Sequence, residues 1–299
     1  MLLFILILSG TLSAADWPQW LGPRRDAVWR EDGILDAFSK EGPKLRWRAP
    51  LGGGYSGPAV AQGRVFVMDR IAELIDPAKA KVLHEGQPPR NENFLRKLLP
   101  GQERLQCLDE ATGRVLWKQQ WDCPYTTVTT YAIGPRATPT VEGDRVYALG
   151  AEGHLFCFAV KDGAIMWQKD FKKAYNLKIP EWGTAAHPLV DGDRLICVVG
   201  GAGTTCVAFD KRTGKELWRA LTSRQPGYCP PVIHTFGGLR QLIIWHSDAV
   251  EALNPLTGEL YWSMPLRPTF GMSIGQPIAE GNRLFVMSFN RVSACIEVA

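Results

Sequence analysis

Long apolar segments and clusters of one charge sign are both missing from this 299-residue chain. Its net charge is +4, and no run of lysine or arginine alternates with aromatic residues, so nucleic acid is not predicted as a partner. The apolar run at residues 2–8 is far shorter than the roughly 20 residues that span a bilayer, so no stable membrane anchor is predicted. Haem-attachment, zinc-ligand, kinase, protease and hydrolase motifs are missing too, and no reaction can be assigned from a motif.

A repeated pattern is present instead. A glycine is followed four positions later by a tryptophan in four places, at intervals of 44 to 51 residues. The pairs are Gly113 and Trp117, Gly163 and Trp167, Gly214 and Trp218, and Gly258 and Trp262. A period of this length predicts an array of similar structural units.

Each unit also contains a proline before a short apolar run, a glycine-polar turn and a second apolar run. The five copies lie at residues 58–67, 139–148, 188–198, 231–245 and 277–287. With the strand before each glycine and the strand that carries each tryptophan, a unit holds four short strands. Four strands per repeat, separated by turn signals, predict an all-β fold of propeller blades.

The turn before each tryptophan has residues suited to a hairpin. Glycine accepts a positive φ, and the side chains of Asp109, Asp210 and Asn254 can accept hydrogen bonds from backbone amides of the turn. Each tryptophan offers a large apolar surface with one N–H donor. We therefore expect these tryptophans to stack between blades and not to bind a cofactor.

The segment from Ala208 to Trp218 resembles the tryptophan-docking motif of pyrroloquinoline-quinone (PQQ) type β-propeller repeats. Such repeats occur in quinoprotein dehydrogenases and in BamB-like scaffolds of outer-membrane assembly. From Trp17 onward, with Asp-Trp-Pro-Gln-Trp at residues 16–20, the chain resembles secreted bacterial PQQ-like propeller proteins. The resemblance implies four-stranded PQQ-type blades, about five of them here, and it implies the fold more specifically than the function.

Residues 1–15 have the pattern of a signal peptide, with Ser13 and Ala15 at positions −3 and −1 before Asp16 and with no lysine or arginine at the start. The mature protein is therefore expected to be exported, to the periplasm or beyond the cell. No cysteine follows the leader, so the lipid attachment of a BamB-type lipoprotein is not predicted. Residues 16–44 are expected to form an N-terminal segment, and residues 45–299 the propeller.

Two parts of the propeller depart from the repeat. Residues 45–51, with Trp47, resemble a tryptophan strand, whereas the last repeat lacks its own tryptophan strand. Either these ends share a blade and close a five-bladed ring, or the chain is part of a larger ring, commonly of eight blades, and we favour the second alternative. Residues 71–103 form an insertion within the first blade, where residues 93–99 could form an amphipathic helix with Phe94, Leu95, Leu98 and Leu99 on one face, or belong to a packed surface loop.

Seven cysteines are present. Cys107, Cys157 and Cys295 take the position that alanine occupies in other repeats, so we expect small buried strand residues there. Cys123 and Cys229 each precede a proline in a loop, and Cys197 and Cys206 flank a turn. Pairing among these last four stays open.

A ligand site is expected where the loops between blades meet at the central channel. The candidate residues of these loops are Arg136, Glu181, Trp182, His187 and Tyr228, with Tyr55, Met272 and Gln276 beside them. Together they could bind an anionic or aromatic small molecule, or they could form a solvated rim.

Two functions follow from the resemblance. One is an exported, non-catalytic binding or scaffold propeller that recognises a protein or a small-molecule ligand through these loops. The other is a PQQ- and calcium-dependent quinoprotein oxidoreductase, similar to alcohol dehydrogenases, in which PQQ stacks in the channel and Ca²⁺ has oxygen ligands. The vicinal cysteine pair of many quinoprotein alcohol dehydrogenases is missing, and Glu181 is the only strong carboxylate candidate in the channel loops. The sequence therefore favours the binding protein, without a firmly assigned cofactor.

Overall fold

The computed structural model describes residues 15–33, 35–73, 76, 79–84, 86–290 and 292–298. The predicted signal peptide lies outside the described residues except for Ala15. In the described part of the chain, strands make up five antiparallel sheets, each built from strands that are consecutive in sequence. No helix of this part is both long enough and apolar enough to cross a bilayer.

The strands of the first two sheets are β1 (Ala59–Ala61), β2 (Arg64–Ala72), β3 (Gly101–Asp109) and β4 (Val115–Asp122), then β5 (Thr140–Glu142), β6 (Arg145–Leu149), β7 (His154–Ala159) and β8 (Ile165–Asp170). The third and fourth sheets contain β9 (Leu189–Asp191), β10 (Arg194–Val198), β11 (Cys206–Asp210) and β12 (Glu216–Ala220), then β13 (Val232–Phe236), β14 (Leu239–Trp245), β15 (Ala249–Leu253) and β16 (Leu260–Pro265). The fifth sheet has β17 (Ile278–Glu280), β18 (Arg283–Met287) and β19 (Ser293–Glu297). The helical segments are α1 (Phe171–Tyr175) and 3₁₀ turns at Glu92–Phe94, Thr129–Tyr131 and Thr269–Gly271.

This arrangement confirms the predicted all-β propeller of PQQ-type blades. The four complete sheets share a register shift between their third and fourth strands, directly after a small residue that pairs with the blade's tryptophan. In the first two sheets these pairs are Cys107 with Trp117 and Cys157 with Trp167. The bulge thus recurs in every complete blade, and the small residue leaves room for the indole across the ladder.

Four tryptophans dock on the glycines of the repeat. The six-membered rings of Trp47, Trp117, Trp167 and Trp218 cover Gly113, Gly163, Gly214 and Gly258, where a Cβ would lie 2.5 to 2.7 Å from a ring carbon. The indole N–H of Trp117 donates to Val160 O (3.0 Å), and that of Trp167 donates to Lys211 O (3.1 Å). The predicted stacking role is confirmed for Trp117, Trp167 and Trp218, and only glycine fits beneath the indole.

The apolar cores lie between neighbouring sheets, from the first and second through to the fourth and fifth. None of the cores among the described residues joins the fifth sheet to the first. Strand β19 pairs with β18 alone, and residues 45–51 join none of the described sheets, so the shared blade of the five-bladed alternative is not found there.

Cysteine placement corrects one prediction. All seven cysteines are free, and six of them are buried, whereas Cys295 is exposed. Cys107 and Cys157 lie between two sheets as expected. Cys295 occupies the same repeat position on β19, but no sheet among the described residues packs against its face of the fifth sheet. Phe285 and Met287 are exposed on the same face.

Residues 73–100 connect β2 with β3, and of the two alternatives for residues 93–99 the structure has the surface loop and not the helix. After the 3₁₀ turn at Glu92–Phe94 the backbone is extended and pairs with other segments. The Leu98 N–H donates to Lys81 O (2.8 Å) and the Leu99 N–H to Tyr125 O (2.9 Å). These non-local hydrogen bonds replace the local ones that a helix would use, which is how tertiary context overrides an amphipathic pattern.

Residues 17–27 cross the first strands of the sheets in order. Trp17 pairs with Val60 of β1, and Pro18 O accepts from the Val141 N–H of β5 (2.8 Å). Further along the segment, the Arg25 guanidinium donates to backbone carbonyls that precede β9 and β13, and Arg25 O accepts from the Gln276 side chain before β17 (2.8 Å). This segment therefore binds the inner side of all five sheets.

Candidate functional site

A cavity of about 950 Å³ lies between residues 20–27 and the loops that lead into the second to fifth sheets. Its lining is mostly apolar and aromatic. Such a lining, with a few polar groups, is typical of ligand sites in proteins.

Four of the five principal candidate residues meet in this cavity. Arg136 comes from the loop before β5, Trp182 and His187 from the loop before β9, and Tyr228 from the loop before β13. Met272 and Gln276, from the loop before β17, complete the lining that the sequence suggested. The loops converge because each connects the outer strand of one blade to the inner strand of the next.

Glu181 does not join them. Its side chain lines a separate, smaller depression with Arg224 and Phe270, because the adjacent side chains of Glu181 and Trp182 project to different sides of their loop. Burial raises the pKa of the Glu181 carboxyl, and the charge of Arg96 partly opposes that rise. Tyr55 lies outside the cavity lining as well, but its ring is 4.3 Å from the guanidinium carbon of Arg136.

Aromatic contacts shape the cavity wall. The rings of Trp20 and His187 stack with centroids 4.4 Å apart and planes at 11°. The Trp182 ring lies edge-on to Tyr131, at 6.3 Å, and tilted against Tyr228, at 5.6 Å. Five rings from four chain segments thus form a pre-ordered surface that suits an apolar or aromatic group.

The Arg136 guanidinium ties these loops together. Its Nε donates to Trp182 O (2.6 Å) and an Nη to Tyr131 O (2.8 Å), while the planar group covers the Tyr55 ring. Burial lowers the pKa of Arg136. Because two of its donors are used by backbone carbonyls, Arg136 positions the loops more than it offers a free cation to an anionic ligand.

His187 is neutral in its buried position. The Thr138 N–H donates to its Nδ1 at 2.7 Å. Burial, together with the nearby charge of Arg25, lowers the pKa of His187 to about 3. An imidazole with this pKa cannot cycle between its two protonation states near neutral pH, as a general acid or base must.

Several cavity residues were missed by the sequence analysis, among them Trp20, Arg25 and Tyr131. Arg25 is buried, donates to Pro188 O (3.1 Å) and Pro231 O (3.2 Å), and has its pKa lowered by burial to about 10. Its Nε and the Oε1 of Gln276 are buried and have no hydrogen-bond partner in the described part of the chain. Both atoms are enclosed by protein beside the aromatic wall and do not face the cavity. The sequence signal was the Asp-Trp-Pro-Gln-Trp run, an aromatic cluster outside the repeats.

The lining does not fit the calcium and PQQ centre of the quinoprotein alternative. Ca²⁺ takes six to eight oxygen ligands, with carboxylates prominent among them. Asp26 is the one carboxylate in the described lining, and both of its oxygens contact the Arg30 guanidinium. Glu181, the carboxylate suggested for this role, lies in the other depression.

The sheets, their docked tryptophans and the channel-mouth cavity define a β-propeller of PQQ-type repeats. The chain belongs to the family described as outer membrane protein assembly factor BamB, whose model matches residues 101–299.

Two curated proteins are similar over part of the chain. The outer membrane protein assembly factor BamB of Burkholderia pseudomallei is 31% identical over 127 residues, which cover 41% of this chain and 30% of that protein. Polyvinylalcohol dehydrogenase from a Pseudomonas species is 27% identical over 93 residues, which cover 29% of this chain and 13% of that protein. The matches thus span less than a third of either relative.

Solved structures show likenesses at low identity. BamB from Moraxella catarrhalis superposes with a TM-score of 0.47 at 16% identity, over 81% of this chain and 69% of that chain. A quinohemoprotein alcohol dehydrogenase from Pseudomonas putida superposes with a TM-score of 0.49 at 17% identity, over 84% of this chain and 41% of that chain.

Proposed function

We propose that this chain is an exported, non-catalytic binding propeller whose channel-mouth cavity captures an apolar or aromatic side chain of a protein partner. The aromatic lining of the 950 Å³ cavity is the observation that carries the proposal. The neutral state of His187 and the carbonyl contacts of Arg136 support a binding role over acid-base chemistry. Membership of a family described as an assembly factor supports a protein as the partner.

Aromatic rings are the main surface that the cavity offers to a partner. Gln276 Oε1 and the Nε of Arg25 are enclosed by the protein, so recognition does not depend on them. The stacked pair of Trp20 and His187 and the ring of Trp182 line the space that the partner's side chain would fill. An aromatic small molecule could use the same wall, and the peptide titration tests whether a peptide does so.

Titration with capped peptides tests this function. We expect a pentapeptide with alternate phenylalanines to bind in calorimetry and a peptide with serines in those places not to bind. Trp182→Ala removes one wall and is expected to weaken binding by about fivefold or more, since aromatic contacts of this kind are worth on the order of 1 kcal/mol or more. Glu181→Gln is the matched control, because this neighbouring residue faces the other depression. Equal binding of both peptides, or unchanged binding by Trp182→Ala, would contradict the proposal.

The quinoprotein alternative predicts a different result. A cofactor that binds the folded state alone raises the unfolding temperature. We expect no saturable thermal shift with PQQ and Ca²⁺, whereas a shift lost in Arg136→Ala would replace the binding proposal by an oxidoreductase.

Export rests on residues 1–15. Directly after the proposed cleavage site, the Asp16 carboxylate accepts from the Gln62 N–H (3.2 Å). Expression of the full chain in a bacterium, followed by fractionation and N-terminal sequencing, should give a mature protein that starts at Asp16. Ala15→Arg blocks the small-residue position and is expected to leave the precursor uncleaved. An uncleaved wild-type protein in the cytosol would contradict export.

A further inference from the structure

A glutamate, a cysteine and a histidine meet at the boundary between the first and second sheets, away from the cavity. Glu103 lies on β3, Cys123 follows β4, and His154 opens β7. One ligating atom of each residue lies within 4.8 Å of those of the other two, and in the described part of the chain no other such group of His, Cys, Asp or Glu is found. Their sequence spacing matches no metal motif, so the sequence analysis did not predict a site here.

The distances suit a tetrahedral ion. Cys123 Sγ and His154 Nδ1 are 3.7 Å apart. With bonds of about 2.3 Å to sulfur and about 2.0 Å to nitrogen, the corresponding edge of a tetrahedral zinc site is roughly 3.6 Å. The sulfur and the nitrogen are therefore already at the separation that a shared ion requires.

Glu103 provides a second, independent observation. Its side chain is completely buried, and its Oε1 accepts from the Tyr125 hydroxyl (2.5 Å) and the Ala151 N–H (2.9 Å). Its Oε2 is buried with no hydrogen-bond partner among the described residues. A buried carboxylate oxygen without a partner is costly, and a cation would satisfy it.

The ammonium group of Lys172, near the cluster, is already paired. The nearby carboxylate of Glu152 is buried and forms an ion pair with Lys172. The charge of Lys172 is therefore already balanced by Glu152. Glu152 also accepts from the backbone N–H (2.7 Å) and the hydroxyl (2.8 Å) of Thr126.

We propose that Glu103, Cys123 and His154 bind a divalent transition-metal ion of the zinc type. Thiolate and imidazole ligands select zinc over calcium or magnesium, and three protein ligands leave a fourth position for water. Binding forms the three bonds to the ion and releases the thiol proton of Cys123 to solvent, with no change of oxidation state. His154 is half-buried and leaves a way in from solvent. The ion ties the first sheet to the second.

Cobalt(II) titration of the metal-free full chain tests the site, since tetrahedral cobalt bound to a thiolate absorbs strongly in a characteristic way. We expect one equivalent to bind with thiolate-to-cobalt charge transfer, and zinc to displace it. Loss of an outer-shell partner weakens metal binding by up to about 100-fold, so loss of a direct ligand should weaken cobalt binding by at least that factor. Cys123→Ser and His154→Gln are the two variants. Cys229→Ser is the matched control, because Cys229 is also a buried free cysteine that precedes a proline.

Each outcome of the cobalt titration either supports or overturns the proposed site. Stoichiometric binding with charge transfer in the wild type and in Cys229→Ser, lost in Cys123→Ser, supports the site. No stoichiometric binding by the wild type overturns it, as does an unchanged spectrum in Cys123→Ser or a spectrum lost when the exposed Cys295 is replaced by serine. Should Cys123→Ser fail to fold by circular dichroism, Glu103→Gln carries the test, since it keeps the side-chain size and should weaken cobalt binding by the same factor or more.

Discussion

The docking of Trp117 on Gly163 can be tested by adding one methyl group. In Gly163→Ala the new Cβ would lie 2.6 Å from Cε3 and 2.8 Å from Cδ2 of the indole, at a φ of +75°. Two costs follow. An alanine in the left-handed region costs about 1–2 kcal/mol, and overpacking a rigid contact costs a further ~1–3 kcal/mol. We expect Gly163→Ala to lower the free energy of unfolding by roughly 2–5 kcal/mol.

A second glycine separates the two costs. Gly143 has a φ of +58° and no atom within 4 Å of the position of a Cβ. Gly143→Ala should therefore show the backbone cost alone, about 1–2 kcal/mol. Both variants are compared with the wild type by urea unfolding followed by circular dichroism, with a second probe to establish that the transition is two-state.

A double-mutant cycle assigns the extra cost to the indole. In a Trp117→Ala background nothing covers Gly163, so Gly163→Ala should cost no more there than Gly143→Ala costs in the wild type. A coupling energy of about 1–3 kcal/mol between positions 117 and 163 is the expected result. Equal costs for the two glycine substitutions in the wild type, or a coupling energy near zero, would refute the docking argument.

Three further predictions follow from single side chains. Trp167→Phe should lower the free energy of unfolding by about 1 kcal/mol more than Trp218→Phe does. The indole N–H of Trp167 donates to a carbonyl, whereas that of Trp218 has no partner in the described part of the chain. Equal unfolding midpoints of the two variants would contradict this. Burial lowers the pKa of His187 from 6.5 to about 3. As the pH falls from 6.5 towards 3, the wild type should therefore lose about 1.4 kcal/mol of stability per pH unit relative to His187→Gln, with no difference in slope above 6.5. Parallel stability curves of the two proteins below pH 6.5 would show that the pKa is not lowered. Asp69→Asn should cost about 3–5 kcal/mol in urea unfolding, since the buried Asp69 carboxylate accepts two hydrogen bonds from Arg104; a cost below 1 kcal/mol would show that the pair is not coupled.

Patterns that depend on neighbours in sequence were predicted well. The strands, the hairpin turns and the tryptophan positions could be read from the repeat because each is set by turn chemistry and by residue size within one blade. The Asp109 Oδ1, for example, accepts from the Thr112 N–H (2.8 Å) and hydroxyl (2.6 Å), as the turn residues indicated. Because each turn and strand pattern recurs in several blades, the prediction from any one copy is strengthened by the others.

Features that depend on distant contacts were predicted less well. The loop residues Arg136, Trp182, His187 and Tyr228 were placed together because propeller topology fixes where such loops meet. Trp20 and Arg25 were missed, since no repeat pattern indicates where residues 17–27 lie. Their positions follow from hydrogen bonds to several sheets at once, and no local propensity encodes those bonds.

Where one residue type serves two environments, the sequence left alternatives open or led to the wrong one. A leucine-rich run at residues 93–99 suits a helix face or an extended segment that half-buries its side chains, and non-local backbone bonds select the second. Cys295 shares a repeat position with buried cysteines, but its burial depends on what packs against β19 and not on the strand itself. The cluster of Glu103, Cys123 and His154 was invisible for the same reason, because it forms across two sheets.

The path of residues 17–27 sets an order for folding during synthesis. Arg25 leaves the ribosome early, but its hydrogen-bond partners Pro188, Pro231 and Gln276 follow 163, 206 and 251 residues later. Neighbouring blades can stack in pairs as they emerge, whereas the N-terminal segment completes its hydrogen bonds only after the residue before β17 has emerged. The cavity therefore cannot exist on a nascent chain that has yet to reach residue 276, so the proposed capture of a partner is possible only after that residue has been added.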